Sequence, residues 1–505
     1  MNIYFLRIIY RHLPAILASV VACIFIYLFT RHSGIGLSPD SVTYYSTAAN
    51  ISQHFSFTDF NGIPLVDFPL GYPVFLAIVS WLSGFSPLQT APVINAVLIS
   101  GVLVFTGTII RGYRKTSLVY RILLLAILCC SPALLEIYSM IWSETLFIFL
   151  SLLFLVAARK YFTNHSIGGL LCMGLVAALA FFTRYAGISL VLCGGILLIF
   201  DGQLSLRQKI GHLFLFGVTS STLAAINLIR NHTVSASLAG VREKAVRSAA
   251  QNIAQISNTI AEWLPFLKGH ERLALLLFVI IFAAAFLLFI FNIVQQHYYH
   301  SYETNVACFF ITYLIFLVFI ASVSRFEDLS SRLLSPIYIP LLLLISSWIV
   351  PLYKSLPTIK KRALIVMALL LYAGLLQHQY RLNAEAWEGI KDAGIPGYSE
   401  DSWKSSATIQ YINQHKKSFS GYLLYSDAYD AVYFLTGLHA LPLPHKEIQQ
   451  EIDDLLTHSS FCVIWLNDGF NADLINIIDI KLTKKITAVT QLADGTIYYF
   501  GNHQP

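Results

Sequence analysis

Residues 68–85 read FPLGYPVFLAIVSWLSGF, and a second apolar stretch, 92–110, follows almost at once. How this pair is threaded decides the topology of the whole chain. If both stretches crossed a bilayer, the cluster Arg111, Arg114, Lys115 and Arg121 would lie outside, against the tendency of basic loop residues to stay cytoplasmic. The first, broken by Pro69, Gly71 and Pro73, is therefore read as a helix that lies at the outer surface or re-enters it. The second is read as a true span.

Outward from that pair the loop charges are consistent. Arg7 and Arg11 precede an apolar run over 13–30 with no small-residue cleavage site after it, which reads as a signal anchor running from inside to outside. The loop that follows is long and acidic, with Asp40, Asp59 and Asp67. Beyond 92–110, further spans are expected over 122–138, 143–159, 167–183, 185–200, 210–229, 272–294, 306–323, 333–350 and 363–379, eleven in all. Predicted inner loops then receive Arg159 and Lys160, Arg207 and Lys209, and Lys354, Lys360, Lys361 and Arg362. The N-terminus is expected in the cytoplasm. An odd count sends residues 380–505 to the outer face, where helix-like pieces (402–415, 427–436, 446–458) alternate with apolar runs (422–425, 461–466, 496–500) in the manner of a small α/β domain.

Composition agrees. The 505 residues are 56% hydrophobic and 12% charged, and the mean hydropathy is +0.66, which excludes a soluble enzyme. The net charge of +6 sits largely in short loops between apolar runs, so a nucleic-acid partner is excluded while membrane lipids are expected. Six of seven cysteines fall in apolar segments, leaving Cys462 alone in the polar C-terminal region, and no disulfide framework is implied. No Walker loop, GxGxxG, HExxH or metal-spaced CxxC pair is present, so nothing supports ATP-driven chemistry.

Ionisable groups gather in the predicted outer loops. Asp40, in SPDSVTYYSTAANI, shares a helical stripe with Tyr44 and Ala48; the plain alternative is an acid near a helix start, where Ser38 or Asp40 caps. Glu144, in SMIWSETLFIFL, shares one short loop with Glu136 and begins a span. Arg184, in AFFTRYAGIS, occupies a turn so tight that it stays at the bilayer surface, either snorkelling or forking a phosphate. Arg325, Asp328 and Arg332 precede a late span, where Asp328 and Arg332 are spaced to pair with each other. The stretch VREKAVRSAAQNIAQISNTIAEWL reads as a basic amphipathic helix on the membrane surface.

These pieces, in this order, resemble the GT-C glycosyltransferases that use polyprenyl-phosphate sugars, particularly the protein mannosyltransferase and aminoarabinose-transferase branch. Asp40 and Tyr44 match the first outer loop of that family, Pro69, Tyr72 and Pro73 its Tyr-Pro helix, and Glu144 its acid at a span start. Arg184, the pair Arg230 and Asn231, and Arg332 with Pro336 look like its later basic positions. The resemblance covers most of residues 1–350. It implies a GT-C-like transmembrane catalytic domain over 1–379, with outer loop 1 at 31–91, and an extracytoplasmic α/β domain over 380–505. It also implies a multi-pass protein of the plasma (inner) membrane that moves a sugar from a polyprenyl-phosphate-linked donor to a lipid, glycan or protein acceptor, inversion at the sugar being part of the pattern. Asp40 would be the catalytic base with Glu144 supporting it, Arg184, Arg230 and Arg332 would hold the donor phosphate, and Tyr44 and Tyr72 would line the cavity. Asp40 has no acidic neighbour in sequence, which leaves open whether a divalent metal ion takes part. A lipid-linked glycan polymerase or ligase and a glycolipid transporter are the competing classes; internal repeats and mid-span polar groups, which a transporter tends to show, are not seen.

Overall fold

Apolar runs bounded by serine, proline and glycine fold here as helices. The structure, a computed structural model, describes residues 3–113, 117–240, 242–466 and 473–501. Arg114 and Lys115 of the basic cluster lie outside the described residues, as do the side chains of Arg7, Arg11 and Lys354. In chain order the helices are α1 (Ile3–Thr30), α2 (Pro39–His54), α3 (Gly71–Ser83), α4 (Pro87–Gly112), α5 (Leu118–Cys129), α6 (Pro132–Tyr138), α7 (Glu144–Asn164), α8 (Ile167–Thr183), α9 (Ile188–Ile199), α10 (Leu206–Ser235), α11 (Ala249–Trp263), α12 (Glu271–Gln295), α13 (Tyr302–Val323), α14 (Ser331–Ser355) and α15 (Thr358–Ala393). Serine starts many of them: the hydroxyls of Ser117, Ser166, Ser205, Ser248 and Ser301 each accept from a backbone N–H of the first turn, a cap worth about 1 kcal/mol.

The chain is a multi-pass membrane protein. Among the described residues seven helices are long and apolar enough to cross a bilayer, and an eighth span forms if α5 and α6, bent by 52° at the Pro132 break, count as one. Each of the eleven stretches expected to span is built mainly of helix, but α8 and α9 are shorter than the others. The decisive stretch over 68–85 becomes α3, whose 13 residues reach only about 20 Å against a hydrocarbon core of about 30 Å. Like α8 and α9, it is one of the shorter apolar helices and not among those long enough by themselves to cross.

The chain divides into two compact units, and the division differs from the expected 1–379 and 380–505. One unit comprises residues 1–28, 65–75 and 90–388, the other residues 29–64, 76–89 and 389–505. The first is the helical bundle. Its α11 is shorter than the expected basic helix and carries no Lys or Arg; the residues from Arg242 to Arg247 are not helical, Lys244 bridging Ser324. Ile256, Ile260 and Trp263 of α11 are buried, and the Trp263 indole N–H donates to Ser331 Oγ at 2.9 Å.

The second unit holds α2, α16 (Asp401–Lys404), α17 (Ala407–Gln414), α18 (Tyr429–Thr436), α19 (Gln449–Thr457) and α20 (Ile477–Thr483) around one mixed sheet of β1 (Leu423–Ser426), β2 (Leu441–Pro442), β3 (Phe461–Trp465), β4 (Ile486–Gln491) and β5 (Thr496–Phe500). Strand order is β2-β1-β3-β5-β4, with β1 parallel to β2 and β3, and β5 antiparallel to β3 and β4. Tyr425, Leu455, Phe461, Val463, Ile480 and Phe500 form its core. The expected helix over 402–415 is two helices, and β2, β4 and α20 were not foreseen. Residues of the first loop pack within this unit: Tyr398 N–H donates to the Leu37 carbonyl (2.9 Å), Asn61 Nδ2 to the Ala440 carbonyl (2.8 Å), and the Phe60 ring stacks on Tyr433 at 4.3 Å.

Candidate active site

The turn Trp142-Ser143-Glu144 at the start of α7 presents three grips to two arginines from distant parts of the bundle. Arg184 Nη1 lies 2.7 Å from Glu144 Oε1 and donates to Ser143 Oγ at 2.8 Å. Arg332 Nε lies 2.8 Å from the same Glu144 oxygen, and its guanidinium carbon stands 4.5 Å over the Trp142 ring. Glu144 is 0% exposed, and the arginine side chains are 16% and 15% exposed. A second acid, Glu327, is 4.0 Å from Arg332 Nη1 and half exposed. One fully buried carboxylate thus holds two guanidiniums where the dielectric is low, and Arg332 also interacts electrostatically with Glu136. The expected pairing of Arg332 with Asp328 does not form; Asp328 pairs with Arg247 and accepts from Gln255 Nε2 at 3.2 Å.

The turn is rigidly buttressed. Asn95 Nδ2 donates to the carbonyls of Tyr138 (2.8 Å) and Met140 (2.9 Å), and the Tyr138 hydroxyl donates to the Thr145 carbonyl (3.0 Å). Arg184 ends α8 in extended conformation, and Gly187 lets the chain double back, since a Cβ there would stand 2.2 Å from Phe181 N. Gly71, at the start of α3, approaches the Phe182 carbonyl as closely, which seats the fully buried Tyr72 in this bundle.

Arg230 is placed differently. Its Nη1 hydrogen-bonds the Leu65 carbonyl and also donates to Asn231 Oδ1 at 3.1 Å. Asn231 Nδ2 donates to Leu238 O (2.9 Å) and to Tyr185 Oη (3.2 Å), the Tyr185 hydroxyl donates to Val66 O (3.1 Å), Leu70 N–H donates to Asn227 Oδ1 (3.3 Å), and Arg242 donates to Asp67 O (3.2 Å). The segment from Leu65 to Leu70 is therefore strapped to α10 by its backbone, and Arg230 is one of the straps. Burial raises the Asp67 carboxyl above its ordinary range against the opposing pull of Arg242.

In the other unit Asp40 sits in the first turn of α2, behind the cap Ser38, whose N–H donates to Ser41 Oγ at 3.0 Å. Asp40 is half-buried while Tyr44, one turn on, is buried. Asp430 of α18 is the acidic neighbour that sequence did not supply. It is 2% exposed, accepts from the Tyr398 hydroxyl at 3.1 and 3.2 Å, and is pushed up to about 6 by burial, with the Asp40 charge adding to the rise.

No protein-family model matches this chain, and no curated protein matches it. Solved structures do. ArnT from Cupriavidus metallidurans in the apo state superposes with a TM-score of 0.57 at 11% identity over 96% of this chain and 97% of that one; the same protein bound to undecaprenyl phosphate gives 0.56 at 12% over the same shares. The oligosaccharyltransferase of Archaeoglobus fulgidus, tethered with an acceptor peptide, gives 0.51 at 10% over 90% of this chain and 69% of that one. This chain has the GT-C fold.

Within the GT-C fold the structure brings together Glu144, Arg184 and Arg332, and it keeps Tyr72 in the same bundle. Asp40 and Tyr44 belong to the unit that contains the C-terminal sheet. For a divalent metal at Asp40 the donor set does not fit: Asp40 and Asp430 supply two carboxylates, one of them held by a tyrosine hydroxyl, and among the described residues no third His, Cys, Asp or Glu joins them in a close group. No step is derived through a metal there. Tyr185, Asn227 and Asp430 were missed as partners. Tyr185 and Asn227 adjoin the quoted Arg184 and Arg230, and that adjacency was the one available signal.

Proposed function

We propose that this protein is an inverting membrane glycosyltransferase that takes a sugar from a polyprenyl-phosphate donor and places it on an acceptor at the extracytoplasmic face of the inner membrane. The observation that carries this reading is the buried Glu144 carboxylate holding Arg184 and Arg332 in a GT-C fold. Two fixed guanidiniums suit a lipid phosphate, because an arginine fork matches phosphate geometry and a pre-oriented cation needs no reorganisation when charge develops. The undecaprenyl phosphate on ArnT supports the choice of ligand class.

In this reading an acceptor hydroxyl or amine attacks the anomeric carbon, the bond from that carbon to the phosphate oxygen breaks, and the polyprenyl phosphate leaves carrying the electron pair. Arg184 and Arg332 receive that growing charge. Asp40 takes the proton from the acceptor as general base. Glu144 is a positioning residue: it touches no reactant and aims the two arginines. Arg230, bonded to the Leu65 carbonyl, contributes by fixing the Leu65–Leu70 strap, and Tyr44 and Tyr72 shape the walls of their own units.

The test is mass spectrometry of envelope glycolipids, glycans and glycoproteins from cells lacking the protein, complemented by wild type or by Asp40→Asn. A sugar-sized mass restored by wild type and not by the variant supports transfer with Asp40 as base. An unchanged glycan profile with lipid-linked precursors trapped on one leaflet refutes it in favour of transport, and restoration by Asp40→Asn removes Asp40 from the base role.

A further inference from the structure

The 21 residues of α7 carry the chain about 31 Å from Glu144 to the far side of the bundle. There a second polar group is assembled from three inter-helix connections. His165 follows α7, Asp201 lies between α9 and α10, and His300 lies between α12 and α13. His165 Nε2 stands 2.7 Å from Asp201 Oδ2 and His300 Nε2 stands 3.0 Å from Asp201 Oδ1. The three ligand atoms all lie within 4.8 Å of one another, and Asp201 is 0% exposed. We propose that His165, Asp201 and His300 form a site for a divalent transition metal ion of the zinc class, at the face of the membrane opposite the Glu144 cluster.

The donor set selects the ion. Two imidazole nitrogens and one carboxylate suit Zn²⁺ or Co²⁺, whereas Mg²⁺ and Ca²⁺ prefer all-oxygen shells. The spacing is compatible. A tetrahedral ion with bonds of roughly 2.1 Å separates its ligand atoms by about 3.4 Å, so the two N···O distances need to open by a few tenths of an ångström and the two nitrogens to close from their limit of 4.8 Å. Three protein ligands leave a fourth position for water.

The surroundings hold the ligands in place. The His300 ring stacks on Phe162 (centroids 5.7 Å apart, 12° between planes), and its carbonyl is hydrogen-bonded by Arg159 Nη1. Gln203 N–H donates to Asp201 Oδ1 at 2.9 Å, and Gln296 ties the Asp201 and His300 loops by accepting from Gly202 N–H at 2.8 Å and donating to the Phe200 carbonyl at 3.1 Å. His165 holds a left-handed backbone conformation, φ +48°, at the C-cap of α7, where a non-glycine residue is strained. An ion bound here ties together the ends of six helices. The role is structural, and it does not depend on what the Glu144 cluster does.

The test uses tag-free, full-length protein in detergent, stripped with a chelator and titrated with Co²⁺ and then Zn²⁺. Expected are one equivalent of Co²⁺ giving the visible absorption of a tetrahedral site, its displacement by Zn²⁺, one Zn²⁺ retained through gel filtration, and a rise in thermal midpoint with Zn²⁺ that Mg²⁺ does not reproduce. His165→Gln, which keeps a hydrogen-bonding partner for Asp201, weakens Zn²⁺ binding by about tenfold or more, while His212→Ala, beside the group but outside it, binds like wild type. Wild-type protein that retains no Zn²⁺ and shows no Co²⁺ band overturns the proposal, as does equal retention by wild type and His165→Gln; Asp201 is then a carboxylate hydrogen-bonded between two histidines. The Co²⁺ spectrum needs no variant, so a misfolded His165→Gln leaves the question decidable.

Discussion

Replacing Glu144 by glutamine removes a charge and almost nothing else. Both arginines reach Oε1, so an amide oxygen at that position still accepts from both, and the group that becomes NH₂ is the oxygen for which no hydrogen-bond partner is present among the described residues. The fully buried negative charge that both arginines share is lost. With charge centres about 4 Å apart and an effective dielectric of about 20, each lost attraction is worth about 4 kcal/mol. The carboxylate's own desolvation, which the amide avoids, offsets part of this, and broken buried pairs cost about 3–5 kcal/mol in net. Arg184→Gln alone removes one of the two attractions. In the double variant Glu144→Gln with Arg184→Gln the Arg184–Glu144 attraction is lost once rather than twice, so its loss should fall short of the sum of the single losses by about 2 kcal/mol. Unfolding of such a protein is irreversible, so the assay is the apparent thermal midpoint of purified protein in one detergent at one scan rate, compared across the four members of the cycle. Glu144→Gln should lose several degrees and the double variant clearly less than the combined single losses. Strictly additive shifts, or a Glu144→Gln midpoint equal to wild type, refute the view that the carboxylate is what holds these arginines.

Arg332→Ala should raise the apparent KM for the lipid-linked donor by about tenfold or more while leaving the acceptor KM within about twofold, read from steady-state transfer with each substrate varied in turn. Asp430 should make its unit less stable as pH rises: a carboxyl held at about 6, against 3.8 when unfolded, binds its proton more tightly in the folded state, so stability falls between those values and levels off above pH 6. Asp430→Asn removes a penalty of about 3 kcal/mol at pH 7.5 and nothing near pH 4, measured as amide-exchange protection of α18 in the full chain at both pH values. Reporter fusions at Tyr113 and Ser402 should report opposite sides of the membrane, and one common side removes the threading inferred from loop charges.

Much of the helical bundle was legible because its signal is local. Apolar runs, basic loops and serine caps each declare themselves within about twenty residues, which is why the stretches expected to span fold mainly as helix. The misjudged boundary of α11 was also readable. Ser248 and Gln251 form a capping box that starts the helix after the basic residues, and the amphipathic period had been followed back past it. Strand β4 was passed over for a different reason. It lies at the sheet edge with every residue at least partly exposed, so the alternation that marks a buried face is weak. That residues 29–64 share a compact unit with the C-terminal sheet rests on contacts such as Phe60 with Tyr433, far apart in sequence and of ordinary composition.

The candidate site was legible as residue types and illegible as partnerships. Glu144, Arg184 and Arg332 each stood out as an ion where a span begins or ends, yet Arg332 lies one turn from Asp328 in sequence and bonds instead to an acid 188 positions away. Local spacing favours the near partner at the surface, where such a pair gains little. Burial favours the far one, because a carboxylate with no exposure demands cations and two arginines in one place demand a carboxylate. This mutual demand also separates the roles of the two acids that sequence put forward together. The Glu144 oxygen that makes bonds already serves two guanidiniums, so its chemistry is spent on orientation. A transfer reaction needs a proton acceptor as well, the role proposed above for Asp40, which is half-buried at a helix start.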